Sequence, residues 1–236
     1  MKNLKTSNYC IAYLDVMGSK NYIYSENTNI FLNDLNAIIE DAIFVTNNTK
    51  KYANVEIFYK IFSDNILFAV EIIPFENERK NKIEKLINLV CNCAYESIKR
   101  GYLIRGAITE GDFFKNLNFV YGKALVDVVT MEEDKARYPR IIANYTLQKL
   151  FPAYFIQGND GYAELNYFIL PFYKEAINIH NTLLHILATN KHNEKATKNN
   201  IWIIDRFNRH FQDVNSWNYN KNSLITKKEI ENILNN

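Results

Sequence analysis

The chain has 236 residues, 47% of them apolar, with 16 Tyr and 15 Phe, which is ample for one large domain or a core domain with an appendage. A net charge of +2 gives no broad electrostatic footprint for nucleic acid or an anionic membrane. No apolar run approaches the roughly 18 residues of a transmembrane helix and the N-terminus lacks a signal-peptide pattern, so a cytoplasmic protein is expected. Three cysteines, two of them in Cys91-Asn92-Cys93, offer neither zinc spacing nor an even disulfide set, and buried free thiols are the expectation.

The first element is a strand over 9–15, an apolar run that reads as covered on both faces yet ends on Asp15. An ionised carboxylate there is costly unless a cation or a hydrogen-bond donor meets it, and a cap on the following turn is one way to meet it. After "VMGSK" a helix near 29–47 carries Ile30, Leu35, Ile38, Ile39 and Ile43 at helical spacing. Strands over 54–62 and 65–72 are separated only by Ser63-Asp64, which places Asp64 at a hairpin tip. A helix at about 78–100 presents Ile83, Leu86, Ile87, Val90, Ala94 and Ile98 on one face.

"YLIRGAITE" (102–110) reads as a strand, "GDFFKNLNF" as a loop or hairpin, and a helix starts near Gly122. "PRIIAN" is a strand and "YTLQKLF" a short helix. "AYFIQGNDGYAELNYFI" is a hairpin turning at Asn159-Asp160-Gly161. Residues 172–236 are mostly helical, with a basic, Asn-rich break at 190–200 and the helix "IWIIDRFNRHF", whose Ile201, Ile204, Phe207 and Phe211 suit a core or dimer helix. This order predicts an α/β (α+β) fold with a mainly antiparallel sheet covered by helices, comprising a domain over 1–170 and a helical extension over 171–236 packed on it.

Asp15 and Asp64 thus stand at comparable strand ends of one sheet. Two such aspartates repel one another unless a divalent cation neutralises them. Hard cations take few protein carboxylates and complete their shell with phosphate oxygens, for which the glycine and N–H groups of "VMGSK" are a natural cradle. Together these features describe a two-metal nucleotidyl-transfer palm.

The motifs, in order, resemble those of the class III nucleotide cyclases. "LDVMGS" is similar to the family's first strand and phosphate loop, F-x-D-I-x-G-F. "KIFSDNILFAV" resembles K-x-x-G-D-x-x-x-A, and "LIRGAITEG" resembles x-x-R-x-G-I-x-x-G. "VYGKALVDVV" stands where the family has W-G-x-x-V-N-x-A-x-R, and "RYPRIIANYTLQKL" resembles x-P-G-x-I-x-V-S-x-x-x-x-x-x-L. The resemblance spans roughly residues 8–170 and implies a ferredoxin-like cyclase palm.

It also implies roles. Asp15, the Val16 carbonyl and Asp64 would hold two Mn²⁺ or Mg²⁺ ions, which activate the ribose 3′-hydroxyl and bridge the triphosphate. The amides of Met17, Gly18 and Ser19, with Arg105, would hold the β- and γ-phosphates, and Lys60 would read the base. A homodimer with composite active sites follows from the family's head-to-tail pairing. Arg105 could instead pair structurally with Glu110 or Asp112, and Lys60 could face solvent.

The chain departs from the pattern at three positions. Phe119 stands at the second base-reading position, while Val126 and Thr130 replace the transition-state Asn and Arg. Lys123, Arg137 and Arg140 are the nearest replacement cations, Arg140 with an equally good structural reading. A chain lacking the purine code, with "RGAI" and "ARYPRI", looks like the pyrimidine cyclases of bacterial Pycsar anti-phage defence. That implies UTP or CTP as substrate and a separate cyclic-nucleotide effector. Other readings are a degenerate, non-catalytic nucleotide-binding module acting by dimerisation and, less well supported, an oligonucleotide-making palm, for which no basic groove is evident. His180, His185, His192 and His210 fall in the tail and read as surface or packing residues.

Overall fold

The computed structural model describes residues 4–52, 54–169, 173–213 and 224–235. Along the chain run β1 (Ser7–Val16), α1 (Lys20–Ile23), α2 (Thr28–Asn47), β2 (Phe58–Phe62), β3 (Asn65–Glu71), α3 (Glu76–Lys99), β4 (Ile104–Lys115) and β5 (Val120–Tyr121). There follow α4 (Lys123–Lys135), β6 (Ile141–Ala143), α5 (Tyr145–Leu150), β7 (Phe155–Gln157), β8 (Ala163–Leu165), α6 (Tyr173–Asn190), α7 (Glu194–Asp213) and α8 (Lys227–Asn235). The strands form one sheet in the order β2-β3-β1-β4-β6-β8-β7, with β5 paired to β4 alone.

The two-residue alternation of β1 organises both faces of this sheet. Cys10, Ala12, Leu14 and Val16 enter the larger apolar cluster with residues of α2 and α3. Tyr9 and Ile11 point the other way, into a smaller cluster with Ala124 and Val128 of α4. Antiparallel pairing sets Asp15 opposite Asn65 on β3 and Arg105 on β4. By the same alternation Asp15 and its two partners lie on the α4 side. The sheet is mainly antiparallel and covered by helices; β4 and β6 pair in parallel because α4 carries the chain across between them.

Gly106, next to Arg105, lets β1 and β4 close. A Cβ there would stand 2.5 Å from the Tyr13 carbonyl oxygen and 2.5 Å from Leu14 Cδ2.

Several boundaries differ from expectation. β4 continues to Lys115 instead of stopping at 110, because Ser7, Asn8 and Tyr9 pair with Phe113, Asp112 and Gly111. The stretch read as a loop or hairpin is therefore the far end of β4 turning into β5. β2 is shorter than 54–62, starting at Phe58, where pairing with Ala69 begins. On α2 the buried stripe uses Phe31 while Ile30 is exposed, and on α7 Ile203 takes the buried place expected for Ile201. The break at 190–200 contracts to 191–193, since the Asn193 side chain accepts the Ala196 N–H (3.1 Å) and caps α7.

The tail shares the core. Ala176, Ile179, Leu183 and Leu187 of α6 and Ile204, Phe207 and Phe211 of α7 belong to the same cluster as α3. Residues 214–223 of the expected helical tail lie outside the described residues. Where α7 meets the sheet, Glu164 is almost fully buried between Arg140 (3.1 Å) and Arg206 (2.8 Å). Trp202 stacks on Tyr138 with ring centroids 5.6 Å apart.

Gly106→Ala is expected to destabilise the fold by about 2 kcal/mol or more, since the added methyl meets backbone that cannot withdraw. A urea unfolding midpoint equal to that of the unsubstituted chain would rule out the close approach.

Candidate active site

Asp64 occupies the two-residue turn between β2 and β3, after Ser63 at a φ of 60°, a region uncommon for residues with a Cβ. Its carbonyl accepts the Val16 N–H at 3.2 Å. Its carboxylate accepts from Asn65 Nδ2 (3.2 Å) and from the Ser19 hydroxyl. Both ends of the residue are therefore fastened to β1 and the loop that follows, which brings the two sequence-predicted aspartates to one edge of the sheet.

Asp15 is met by Arg105, whose Nε donates to Oδ2 at 2.9 Å. A second carboxylate, Glu132 on α4, lies 2.8 Å from the same nitrogen without an aligned hydrogen bond. Burial pushes the Asp15 carboxyl up; the Arg105 bond and charge oppose this, and Asp64 adds to it. Glu132, its side chain 3% exposed, is pushed up to about 7 by burial, with Arg105 opposing and Asp15 and Glu133 reinforcing. The Tyr13 phenol rises to about 12 through burial and the negative charge of Glu132, Asp15, Glu133 and Asp64. The edge is acidic, and one guanidinium does not neutralise it.

Glu132 was absent from the sequence reading. Its signal was weak but present: it follows Ala124 and Val128 at four-residue spacing and so falls on the buried stripe of α4. The alternative pairing of Arg105 with Glu110 or Asp112 does not occur among the described residues; Glu110 is paired with Arg79.

The loop after β1 is narrower as a cradle than expected. The Met17 N–H donates to Leu103 O (2.8 Å) and the Ser19 N–H to Val16 O (3.3 Å). The Ser19 hydroxyl is committed to Asp64. Gly18, at a φ of 75°, keeps an N–H without a partner among the described residues. Asp15, Met17, Gly18, Arg105 and Arg137 all line one cleft of about 260 Å³, whose opposite wall comes from the end of α6 and the start of α7.

Lys60 and Phe119 gather at a different place. Lys60 Nζ lies 3.4 Å from the Asn118 carbonyl, and Lys115 Nζ sits 4.9 Å from the Phe58 ring centre, so the β4–β5 turn folds back over β2. Phe119 packs on Phe114 and is 44% exposed. Val126 and Thr130 occupy exposed positions on α4. Of the replacement cations, Lys123 is paired with Asp127, while Arg140 is buried against Glu164 and Asp160, the structural reading. Arg137 alone of the three lines the cleft. Among the described residues no histidine lines the cleft with Asp15; His180 meets Glu229 and His210 meets Asn166.

The donors at the edge suit a hard cation: two carboxylates and a backbone carbonyl, all oxygen, in an acidic setting. Asp15 Oδ1 has no hydrogen-bond partner among the described residues, which leaves it available. Among those residues no group of three or more His, Cys, Asp or Glu converges as a metal cage, so phosphate or water oxygens would complete such a shell. No helix of the described residues is long and apolar enough to cross a membrane.

No family model matches the chain, and no curated protein matches it. Among solved structures, the monomeric guanylyl cyclase domain of the RhoGC fusion protein from the aquatic fungus Blastocladiella emersonii is similar at 13% identity and a TM-score of 0.45, covering 68% of this chain and 94% of that one. The catalytic core of a rhodopsin-guanylyl cyclase with converted specificity, in complex with ATPalphaS, is similar at 14% identity and a TM-score of 0.44, with the same coverage. Both are likenesses in outline; the reading of the site rests on its own residues.

Glu132 supplies a pH signature. Its folded-state pKa of about 7 lies above the ordinary 4.5, so the folded protein holds a proton that the unfolded chain releases first. That contribution is complete below 4.5 and is lost as pH rises through about 7. The melting temperature, followed from pH 4.5 to 8, should carry a downward component that Glu132→Gln removes. An identical pH profile in the variant would show that Glu132 does not titrate in this window.

Proposed function

We propose that the chain is a metal-dependent nucleotide cyclase that converts UTP or CTP to the 3′,5′-cyclic nucleotide and pyrophosphate. The observation that carries this reading is the pair Asp15 and Asp64, held together beside the Gly18 loop and backed by Arg105. Pyrimidine preference, a second-messenger role in anti-phage defence and a separate effector are supported by the sequence resemblance. Asp15, Asp64 and the Val16 carbonyl are the groups that would hold Mn²⁺ or Mg²⁺, which when bound supplies positive charge to the triphosphate and acidifies the ribose hydroxyl.

The chain's own groups account for the rest. The Ser19 hydroxyl and Asn65 amide fix the Asp64 carboxylate. Arg105 holds Asp15 and lies in the cleft wall, where its guanidinium faces the volume available to phosphates. The Gly18 N–H adds one donor to a phosphate oxygen. Lys60 has a flexible ammonium for a pyrimidine carbonyl, and Phe119 closes the wall where a purine would extend. A steric term of this kind discriminates by about 10–200-fold.

Composite sites in a homodimer are supported by the separation of Lys60 and Phe119 from the cleft, and by the exposed apolar side chains around them: Tyr59, Phe62, Leu117 and Tyr121. A non-catalytic, nucleotide-holding module is the second reading, favoured by the apolar and neutral Val126 and Thr130.

Incubation with each of the four nucleoside triphosphates and Mn²⁺, followed by mass spectrometry, tests the assignment. Cyclic UMP or cyclic CMP is expected in excess over the purine products; mainly cyclic AMP would remove the pyrimidine assignment. Asp15→Ala and Asp64→Ala should each yield no product while staying folded, since Glu132 still pairs with Arg105 when Asp15 is gone. Turnover at the unsubstituted rate in both variants would exclude the mechanism.

Mixing supplies a separate test of assembly. Asp64→Ala and Lys60→Ala chains, each impaired alone, should regain part of the activity when combined. Demonstrated subunit exchange without recovery would place the whole site in one chain.

A further inference from the structure

The cleft beside Asp15 has a wall that neither the sequence motifs nor the carboxylate pair explains. Asn190 at the end of α6, Asn193 in the turn that follows, and Lys195 and Asn199 in the first turns of α7 line it together with Gly18 and Arg105. This turn is fixed in place. Asn190 Nδ2 bonds the Ile186 carbonyl at 2.9 Å, Asn200 Nδ2 bonds the same carbonyl at 3.3 Å, and Thr197 Oγ1 reaches back to Asn190 O at 3.0 Å.

The cations of the cleft are not equally engaged. Arg105 is met by Asp15 and Glu132. Lys195 has no ion pair among the described residues, and its sequence neighbour Glu194 is taken by Lys198 at 2.6 Å. Arg137 is likewise without a carboxylate partner among those residues, although the residues around it are anchored: Tyr138 stacks on Trp202 of α7, and Arg140 is held by Glu164 and Asp160. The cleft is therefore bounded by two cations with no counter-charge, Lys195 and Arg137, facing the loop end that bears the Gly18 N–H. Among the described residues Asp15 is the one carboxylate lining it, and Arg105 already meets that group.

We infer that Lys195 and Arg137 bind the outer phosphates of the triphosphate within a single chain, the tail closing the phosphate end of the site. The inference rests on the nucleoside triphosphate reading and extends it. Val126 and Thr130, on the exposed face of α4, bring no positive charge. Two unmatched cations on the tail side supply charge to a tri- or pyrophosphate group from the opposite direction.

Inorganic tripolyphosphate is the probe, titrated calorimetrically into the 236-residue chain at fixed ionic strength. Lys195→Met and Arg137→Met should each weaken binding by about tenfold, a typical effect of removing one charge-assisted phosphate contact. Lys198→Met, which removes an exposed lysine paired with Glu194 on the same helix, should leave affinity unchanged. The substituted side chains are exposed, so folding is not at stake. Undiminished affinity in Lys195→Met, or no tripolyphosphate binding by the unsubstituted chain, overturns the inference. The two readings fail separately. Cyclic nucleotide formation that is indifferent to Lys195 leaves the cyclase assignment and removes the cation wall. Lys195-dependent binding in a chain that cyclises no nucleotide does the reverse.

Discussion

Arg105 faces Asp15 across the β1–β4 pair, and Glu132 approaches the same nitrogen from α4. Three parts of the fold are tied at that guanidinium: the central strand, its neighbour and the helix that crosses to β6. The arrangement admits little slack. A one-residue slip of β1 against β4 would send Asp15 to the opposite face of the sheet, among the aliphatic side chains that pack under α2 and α3. Gly106 protects the register by permitting an approach that any side chain would block. The acidic surplus that remains, with Asp15 and Glu132 on one arginine and Asp64 acting on Asp15 from the neighbouring turn, is an unmet demand for positive charge, which the divalent cation of the proposed function would answer.

A second tie runs through Glu164. Buried acid between Arg140 and Arg206 joins the strand after α4 to α7, and the Tyr138–Trp202 stack reinforces it. The buried Glu164 carboxylate depends on both arginines, so the pairing ties the tail to the segment that carries Arg137 and Arg140. The helices after residue 172 are accordingly part of the same packed body as α3, sharing its apolar cluster.

Much of this was readable from residue order. The strand carrying Asp15 follows from its apolar run, the hairpin carrying Asp64 from a two-residue turn, and α3 from its buried stripe, because short-range pattern determines them. Glu132 was hidden because a carboxylate on a helix is normally solvated, and only the sheet brings Arg105 to it. The role of Met17 and Ser19 as amide donors could not be judged from sequence, since Leu103 and Val16 claim those N–H groups through tertiary geometry. The wall containing Lys195 was equally invisible. An Asn-rich stretch reads as a break in a helix, and its placement 180 residues after Asp15 carries no local signal.

That placement bears on how the protein is made. Chains fold from the N-terminus as they emerge from the ribosome, so the β1 loop and the hairpin with Asp64 can assemble while the tail is still being translated. The cleft at that stage has one side only. Its other side arrives with the turn after α6, and the Glu164 cluster cannot form before Arg206 is available. Synthesis therefore completes the cleft late, and a chain interrupted before α7 would carry Asp15 without the enclosure it lines.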